Sequence, residues 1–234
     1  MQPFSPTRRD VPCIVLRALD LARDMRRLTL GGPELSAWLA RPGVGQPAAW
    51  VKVFPPGVPG RAYTLRAIDF EASTVEIDFV IHGDAPGTVS DWARRARPGD
   101  AVSIAGPRDG GFALQADTRW VWLGADASAW PAACRIIESL PSAIQVLGVR
   151  HPAGASDWPA IASAHAPRWA ARSLPPGPDD TPEPAPAGPG QVWLAGQAGW
   201  VKAWRAHWLQ RLRLDVARVS AKGYWKDGEQ DYKE

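Results

Sequence analysis

The sequence predicts a β plus α/β protein: a first half of antiparallel strands, then an α/β half built on a parallel sheet. Gly and Pro number 22 and 24 among 234 residues, and this share of about a fifth favours many turns over a helical bundle. Short strand-like runs separated by turn residues fill the first half. Strand and helix patterns alternate in the second half, as they do in βαβ units.

The first half contains one short helix among seven candidate strands. The helix begins near Trp92, with Ser90 or Asp91 as its cap, and ends at Pro98. The turn at 71–73 suits a hairpin, and alternating apolar and acidic residues over 75–79 have the period of a half-buried strand. Short strands with regular turns are typical of an antiparallel barrel or sandwich. The predicted strands are 14–19, 26–30, 50–54, 62–70, 74–82, 101–105 and 111–114.

The second half predicts βαβ units on a parallel sheet. A proline-rich loop over 175–190, with seven prolines in sixteen residues, interrupts the pattern and is expected to be exposed and semi-extended. The change of pattern gives two predicted domains, 1–117 and 118–234. The predicted strands are 119–124, 143–149, 191–195 and 214–221, and the predicted helices are 131–140, 157–165 and 198–212.

Composition narrows the function. A net charge of +3 gives no strong field toward nucleic acid, and no apolar run approaches the ~20 residues of a membrane span. The N-terminus lacks the apolar core of a secretion signal, so we expect a cytoplasmic protein, and a monomer.

Cys13 and Cys134 are expected to be separate buried thiols, although one long-range disulfide is possible. The four histidines form no zinc pattern, so no structural metal is expected.

Two segments of the first half could carry chemistry. Arg61 and Tyr63 share one face of a predicted strand, and this pair suits a planar ring with a phosphate tail. The alternative is a surface arginine beside a half-buried tyrosine. Residues 87–90 precede the short helix, and the amides of a helix start can bind a pyrophosphate. His82 at a strand end is either a structural donor or a functional group.

These segments and several others occur in the order found in one family. The chain resembles the siderophore-interacting proteins, which are FAD-dependent ferric-siderophore reductases related to the ferredoxin reductases, over about residues 12–228. The matching pieces are R-x-Y-T-x-R at 61–66, D-F-V-x-H-G at 78–83, a small-residue turn with W-A at 88–93, R-P-G-D at 97–100, G-P-R at 106–108, residues 126–133, W-x-A-G-x-A-G at 193–199 and G-Y-W-K at 223–226.

The resemblance implies a flavin-binding antiparallel barrel followed by an α/β nicotinamide-binding domain, as in ferredoxin reductases. It also implies roles for residues in both domains. Cofactor-binding residues on the FAD side would be Arg61, Ala62, Tyr63, Thr64, His82, Gly83, Thr88, Val89 and Ser90, and on the nicotinamide side Asp126, Ser128, Gly196 and Gln197; Trp225 would also bind the cofactor, as a cover for the flavin ring. A cationic rim for an anionic ferric siderophore would consist of Lys52, Arg108 and Lys226.

Two positions depart from the family pattern. Ala127 and Gln197 stand where the family usually has acidic residues, so the electron donor is open among NADPH, NADH and a ferredoxin-type protein. The resemblance implies that electrons pass through FAD to Fe(III), releasing Fe(II) without a catalytic side chain or protein metal ligand. The alternatives are an electron-transfer module with a protein donor, and a binding protein that has lost the flavin.

The tryptophans raise two further questions. Residues 200, 204 and 208 recur at helical spacing on the last predicted helix. They predict a helix face packed on the sheet or on the other domain, with a stacking wall for a cofactor as the alternative. Trp225 lies in the matching G-Y-W ending and could cover the flavin until the nicotinamide displaces it, or be buried as other aromatics are.

Overall fold

The computed structural model describes residues 10–82, 86–151, 168–170 and 186–229. The chain divides into two compact units, Met1–Asp109 and Gly110–Glu234. None of the helices within the described residues has the length and apolar content needed to cross a bilayer.

The first unit is built on one antiparallel sheet. Its seven strands are hydrogen-bonded in the order β4-β3-β7-β1-β2-β6-β5, and two short helices follow β2 and β6. The elements are β1 Val11–Ala22, β2 Met25–Gly31, α1 Leu35–Leu39, β3 Trp50–Phe54, β4 Arg61–Thr64, β5 Ala67–Asp69, β6 Thr74–Val80, α2 Val89–Arg95 and β7 Ala101–Arg108.

The sheet closes through the segment that joins β4 to β5. These strands are the two edges of the sheet, yet only Leu65 and Arg66 separate them in sequence. The Leu65 amide donates to the Ala49 carbonyl, just before β3, at 2.9 Å, and the Arg66 amide donates to the Glu76 carbonyl of β6 at 2.8 Å. The stretch predicted as one strand over 62–70 is therefore two edge strands, β4 and β5, which Leu65 and Arg66 join. The antiparallel barrel is confirmed.

The barrel core follows the alternation of each strand. On β1, Val11, Cys13 and Val15 are buried, whereas Ile14 and Leu16 face outward. The hairpin predicted at 71–73 is present, because β5 pairs with β6 antiparallel and the Ala72 amide donates to Asp69 Oδ1 at 2.8 Å. The core also contains Leu28, Leu30, Leu35, Trp38, Val51, Val53, Leu65, Val75, Ile77, Phe79, Val102 and Ile104.

The second unit is an α/β domain whose strand pairs are all parallel. The strand order is β10-β9-β8-β11-β12. The chain therefore adds β9 and β10 on one side of β8 first, and then β11 and β12 on the other side. The predicted parallel sheet is confirmed. The elements are β8 Trp120–Asp126, α3 Trp130–Ser139, β9 Gln145–His151, β10 Arg168–Ala170, β11 Gly190–Gln197, α4 Ala198–Ala206, a π-helical turn His207–Arg211, a 3₁₀ turn Val216–Arg218 and β12 Val219–Trp225.

Several predicted elements are wrong in detail. Residues 111–114 form no strand, because side chains bind this stretch: Gln191 Nε2 donates to the Ala113 carbonyl at 2.9 Å and Trp193 Nε1 to that of Gly110 at 3.1 Å. The last strand begins at Val219 rather than 214, since Asp215 caps the 3₁₀ turn before it. The prediction omitted α1 and β10. The helix predicted at 157–165 and residues 175–185 of the proline-rich loop lie outside the described residues.

Both cysteines are buried free thiols, one in each unit, as predicted. Burial, with a smaller contribution from the negative charge of Glu34, raises the pKa of the Cys13 thiol to about 12. Because only the thiolate is strongly nucleophilic, this thiol is chemically inert at physiological pH.

Candidate functional site

The β4 strand presents Arg61 and Tyr63 on one face. In the antiparallel pair with β3, Arg61 lies opposite Val53 and Tyr63 lies opposite Val51, and directly opposed residues share a face of the sheet. Val51 and Val53 are fully buried, whereas Arg61 and Tyr63 keep partial exposure. A guanidinium and an aromatic ring thus occupy neighbouring positions on the side of the sheet that carries the core.

Aromatic packing holds Tyr63 in place. Its ring centroid lies 4.4 Å from that of Phe79, which in turn lies 6.1 Å from that of Trp92 on α2. Burial raises the pKa of the Tyr63 phenol above its usual range, and the positive charge of Arg61 offsets part of this rise. Tyr63 is therefore a neutral, rigidly packed ring whose hydroxyl can donate a hydrogen bond.

Other charged residues of the same motifs stabilise the barrel wall. The buried carboxylate of Asp78 accepts from Arg27 through Nε at 2.6 Å and Nη2 at 2.9 Å, and Arg66 Nε lies 4.0 Å from Asp78 Oδ2. Arg27 also pairs with Glu76 at 3.1 Å. Because Arg27 binds the Asp78 carboxylate in a forked, buried pair, Asp78 acts within the fold rather than toward a ligand, and Arg66 is buried beside it.

The connection from β6 to α2 is tied by hydroxyl groups. Thr88 caps α2, its Oγ1 accepting from the Asp91 amide at 3.1 Å. Ser90 Oγ donates to the Val80 carbonyl at 3.1 Å and accepts from the His82 amide at 3.2 Å. The Ser90 hydroxyl is therefore used by the backbone, and at this helix start the backbone amides of Val89 and Ser90 are the groups suited to an anion.

The remaining first-unit candidates divide between the two faces of the sheet. Lys52 follows Trp50 by two residues on β3, and Arg108 lies opposite Trp50 on β7, its guanidinium 5.3 Å from the indole centroid. Lys52 and Arg108 thus share the outward face, where Ala62 lies opposite Lys52. Thr64 is buried and His82 is exposed. Gly83 lies outside the described residues.

In the second unit, Asp126 lies at the carboxyl end of β8 and bonds to three segments. Its buried Oδ1 accepts from the Ser128 amide at 2.8 Å, the Ser128 hydroxyl at 2.6 Å and the Ala129 amide at 3.1 Å. Its Oδ2 accepts from the Gln197 amide at 2.8 Å and from Trp225 Nε1 at 2.7 Å. The carboxylate thereby holds the β8–α3 turn, the end of β11 and the end of β12 together.

Gly196 and Gln197 form the junction between β11 and α4. Gly196 has φ +135°, and a Cβ there would lie 2.4 Å from Asp126 Oδ2, so only glycine fits beside the carboxylate. Gln197 uses both ends of its amide: Oε1 accepts from the Trp200 amide at 2.8 Å, and Nε2 donates to Asp227 Oδ2 at 3.1 Å. The sequence offers no motif that signals Asp227, because a single pairwise contact leaves no local pattern.

The end of β12 presents a half-exposed tryptophan. Trp225 is 41% exposed while its indole N–H is bonded to Asp126. Burial and the negative charge of Asp126 raise the pKa of the adjacent Tyr224 above its usual range. Lys226, in contrast, forms an ion pair with Glu229.

The tryptophans at 200, 204 and 208 pack on the sheet, as predicted. The Trp204 and Trp208 centroids lie 4.7 and 5.2 Å from that of Trp122 on β8. All three are buried. They form a core cluster, which excludes the stacking wall for a cofactor.

Comparison with known proteins agrees with the two-unit fold. Residues 48–111 match the family model of the siderophore-interacting FAD-binding domain, and residues 118–228 match that of the siderophore-interacting protein. A siderophore utilization protein from T. fusca is 26% identical, with a TM-score of 0.81 over 96% of this chain and 95% of that one. SipS from Aeromonas hydrophila, a siderophore-interacting protein, is 25% identical, with a TM-score of 0.78 over 97% and 95%.

Curated relatives give the same picture. An Escherichia coli NADPH-dependent ferric-chelate reductase is 28% identical over 90% of this chain and 91% of that protein. The ferric vibriobactin reductase ViuB of Vibrio cholerae is 37% identical over 83 residues, or 35% of this chain. The chain spans 26% of the mycobactin import protein IrtA and 30% of ViuB. With both family models matched in order over about three quarters of its length, the chain belongs to the siderophore-interacting protein family.

Proposed function

We propose that this protein is an FAD-dependent NAD(P)H:ferric-siderophore oxidoreductase that releases Fe(II) for iron acquisition. The observation that carries the proposal is the pairing of Arg61 with the packed ring of Tyr63 on β4, inside the region that matches a FAD-binding domain. The function named for the E. coli and V. cholerae relatives supports it. We further propose that the protein is a cytoplasmic monomer, with a flavin domain over 1–117 and a nicotinamide domain over 118–234.

The side chains of the first unit fit a flavin dinucleotide. Tyr63 offers a flat, neutral ring held by Phe79, and Arg61 offers a forked donor beside it for phosphate. The amides of Val89 and Ser90 at the capped start of α2 suit the pyrophosphate. Bound FAD supplies hydride acceptance and single-electron transfer. The flavin-lining set is completed by Ala62, Thr64, His82, Gly83 and Thr88.

The outward face of the barrel supplies positive charge for the iron-bearing substrate. Lys52 and Arg108 lie on neighbouring strands, and Trp50 keeps the guanidinium oriented. Siderophores bind Fe(III) through anionic oxygen atoms, and the less charged Fe(II) binds such donors more weakly. Lys52 and Arg108 would attract the anionic chelate, and reduction would loosen it. Lys226 would contribute less to this rim, because Glu229 already pairs with it.

The nicotinamide would bind at the carboxyl edge of the parallel sheet. In doubly wound sheets, dinucleotides bind where the strand order reverses, and here this place lies between the ends of β8 and β11. Asp126, Ser128, Gly196, Gln197 and Trp225 meet at this edge. Because the Asp126 carboxylate already accepts five hydrogen bonds, we assign it the role of positioning the others. Trp225, half-exposed, is the aromatic group that a nicotinamide would meet.

A second candidate function follows from the β8–α3 turn. The amides of Ser128 and Ala129, which could face a pyrophosphate, donate instead to Asp126. This arrangement favours a flavin electron-transfer module that receives electrons from a ferredoxin-type protein. The two functions share the flavin site and the ferric-siderophore substrate, and they differ in the donor.

A visible spectrum of the purified protein, followed by anaerobic additions, tests both candidates. We expect a yellow protein whose flavin bands bleach with NADPH or NADH and return when a ferric siderophore is added. Bleaching by a reduced ferredoxin alone would select the second candidate. A colourless protein that takes up no added FAD would contradict both.

A further inference from the structure

We propose that the end of α4 and the loop after it form a basic surface that binds an anionic membrane leaflet. The inference goes beyond the proposed function and does not depend on the cofactor assignments. The charge of this segment, the exposure of its aliphatic side chains and its backbone geometry support it. The basic surface consists of Lys202, Arg205, Arg211, Leu212, Arg213 and Val216.

Positive charge is concentrated in residues 198–218. This segment contains five Lys and Arg residues and one Asp, which gives it a net charge of +4. Because the whole chain has a net charge of +3, the rest of the chain carries −1. The one acidic side chain of the segment, Asp215, accepts from the Ala217 amide at 2.9 Å. A local excess of this kind attracts the negative surface of an anionic leaflet.

The basic residues of α4 face solvent because the opposite face of the helix is used by the tryptophan core cluster. Lys202 and Arg205, which are neighbours on the helix surface, are both exposed. Among the ion pairs of the described residues, none includes Lys202, Arg205 or Arg213. The positive charges of these three residues are therefore available to an external anion.

Two aliphatic side chains are exposed within the basic loop. Leu212 is 41% exposed and Val216 is 61% exposed, whereas Leu214 between them packs against the core. No aromatic side chain is exposed among residues 198–218, all of which the structure describes. Protein interfaces favour aromatic anchors, whereas apolar side chains beside Lys and Arg suit the headgroup region of a bilayer. The composition of the surface therefore favours a membrane over an acidic protein.

The backbone of the loop has two uncommon features. α4 ends in the π-helical turn His207–Arg211, and Arg213 has φ +53°. Both π-helical turns and left-handed residues other than glycine occur preferentially at functional sites. After the loop, Arg218 pairs with Asp117 at 2.6 Å. The segment that exposes the two aliphatic side chains is thus fixed between the end of α4 and the start of β12.

The basic loop lies at the amino edge of the parallel sheet. Val219, the first residue of β12, pairs with Val192 near the amino end of β11, so the loop before it lies at that edge. Asp126 lies at the opposite edge, at the carboxyl end of β8. A membrane bound at the amino edge would therefore leave the proposed nicotinamide site of this unit facing away from the lipid.

Co-sedimentation of the full chain with lipid vesicles tests the proposal. At low ionic strength the wild type should bind vesicles of equal parts phosphatidylcholine and phosphatidylglycerol, and it should bind pure phosphatidylcholine vesicles only weakly. High salt should release the protein, because salt screens exposed charges. Each basic residue near an anionic leaflet contributes about fivefold in affinity, so a triple variant should bind on the order of 100-fold less tightly. This variant carries Lys202→Gln, Arg205→Gln and Arg213→Gln.

A matched triple variant removes the same amount of charge from the first unit. Its three arginines are exposed as well, and the variant should bind anionic vesicles as the wild type does. Wild-type melting temperatures in both triple variants verify that the fold is kept. The control carries Arg17→Gln, Arg41→Gln and Arg97→Gln.

The aliphatic side chains give a second readout. Leu212→Ser combined with Val216→Ser should weaken vesicle binding by about 10-fold, because apolar area no longer leaves water. Both native cysteines are buried, so Leu212→Cys can be labelled selectively with an environment-sensitive dye. Its emission should shift to shorter wavelength with anionic vesicles. The same dye at Phe70→Cys, a position that is 61% exposed in the first unit, should show no shift.

Three outcomes would overturn the proposal. The first is a wild type that does not bind anionic vesicles, and the second is an equal loss of binding in the two triple variants. The third is full binding by the double serine variant, which would assign the surface to an acidic macromolecule instead. Vesicle binding by a protein that takes up no FAD would contradict the proposed function and leave this inference intact.

Discussion

The two candidate binding regions use their polar groups in opposite ways. On the barrel, Arg61 and Tyr63 are presented by one short strand, while the buried charges of the same motifs, Arg66 and Asp78, stabilise the wall. At the carboxyl edge of the parallel sheet, the polar groups bond mainly to one another through Asp126. The first region places its cation and its aromatic ring on one short strand, whereas the second is a preassembled frame whose most exposed aromatic group is Trp225.

The largest effect is expected from a substitution at Asp126, because this residue holds the frame together. Asp126→Asn replaces an acceptor-only carboxylate with a group that has one acceptor and one donor, so at least one of the three bonded segments loses its partner. We expect the free energy of unfolding to fall by about 3 kcal/mol, given what hydrogen bonds to buried charges contribute. Chemical denaturation measures this fall, and the indole N–H resonance of Trp225 should shift in the ¹H–¹⁵N spectrum. An unchanged resonance would contradict the hydrogen bond between the Trp225 indole N–H and Asp126.

A smaller effect is expected on the barrel, where Arg61→Ala removes the cation beside Tyr63 in the proposed flavin site. FAD affinity should fall by about 10- to 100-fold because a charge-assisted contact is lost. Fluorescence titration with FAD measures the affinity. Arg17→Ala, at an exposed position of β1, is the control. Full flavin retention by Arg61→Ala would show that Arg61 and Tyr63 on β4 are not the cofactor site.

Gln197 gives a finer test of the frame. Gln197→Glu keeps the acceptor for the Trp200 amide but sets a carboxylate against Asp227. We expect a loss of about 0.5–1 kcal/mol, the usual contribution of an exposed polar pair. The double variant Gln197→Glu with Asp227→Asn restores a donor opposite an acceptor and should recover most of that loss. Additive effects of the two substitutions, measured by denaturation, would contradict the bond.

The smallest expected effect is a loss of stability at alkaline pH, and it involves one tyrosine in each region. Burial raises the pKa of Tyr63 and of Tyr224 in the fold, whereas in the unfolded chain both titrate near 10. Stability from these residues is thus fully present below pH 10 and declines as the pH rises above it. Absorbance at 295 nm of the apoprotein should show neither tyrosine ionising at pH 10.5. Ionisation of either one there, in folded protein, would contradict its burial.

The sequence predicted the barrel region better than the sheet edge. Alternation along β4 places Arg61 and Tyr63 on one face, a local rule that holds in the structure. The break at Leu65 and Arg66 was not predictable, because it results from hydrogen bonds to two residues distant in sequence, Ala49 and Glu76. The bonds of Asp126 to Gln197 and Trp225 and the pair of Gln197 with Asp227 likewise join residues far apart in sequence. The family resemblance gave Asp126, Gln197 and Trp225 as candidate cofactor-binding residues, but no periodicity in the sequence relates these three positions.

The closure of the barrel has a consequence for assembly. Arg61 and Tyr63 lie on β4, the edge strand that Leu65 and Arg66 join to the other edge, so opening of this junction would disturb the proposed flavin site. A ligand that binds only the closed form stabilises it in proportion to its free concentration over its Kd. Flavin supply during synthesis would then influence how much of this protein survives proteases.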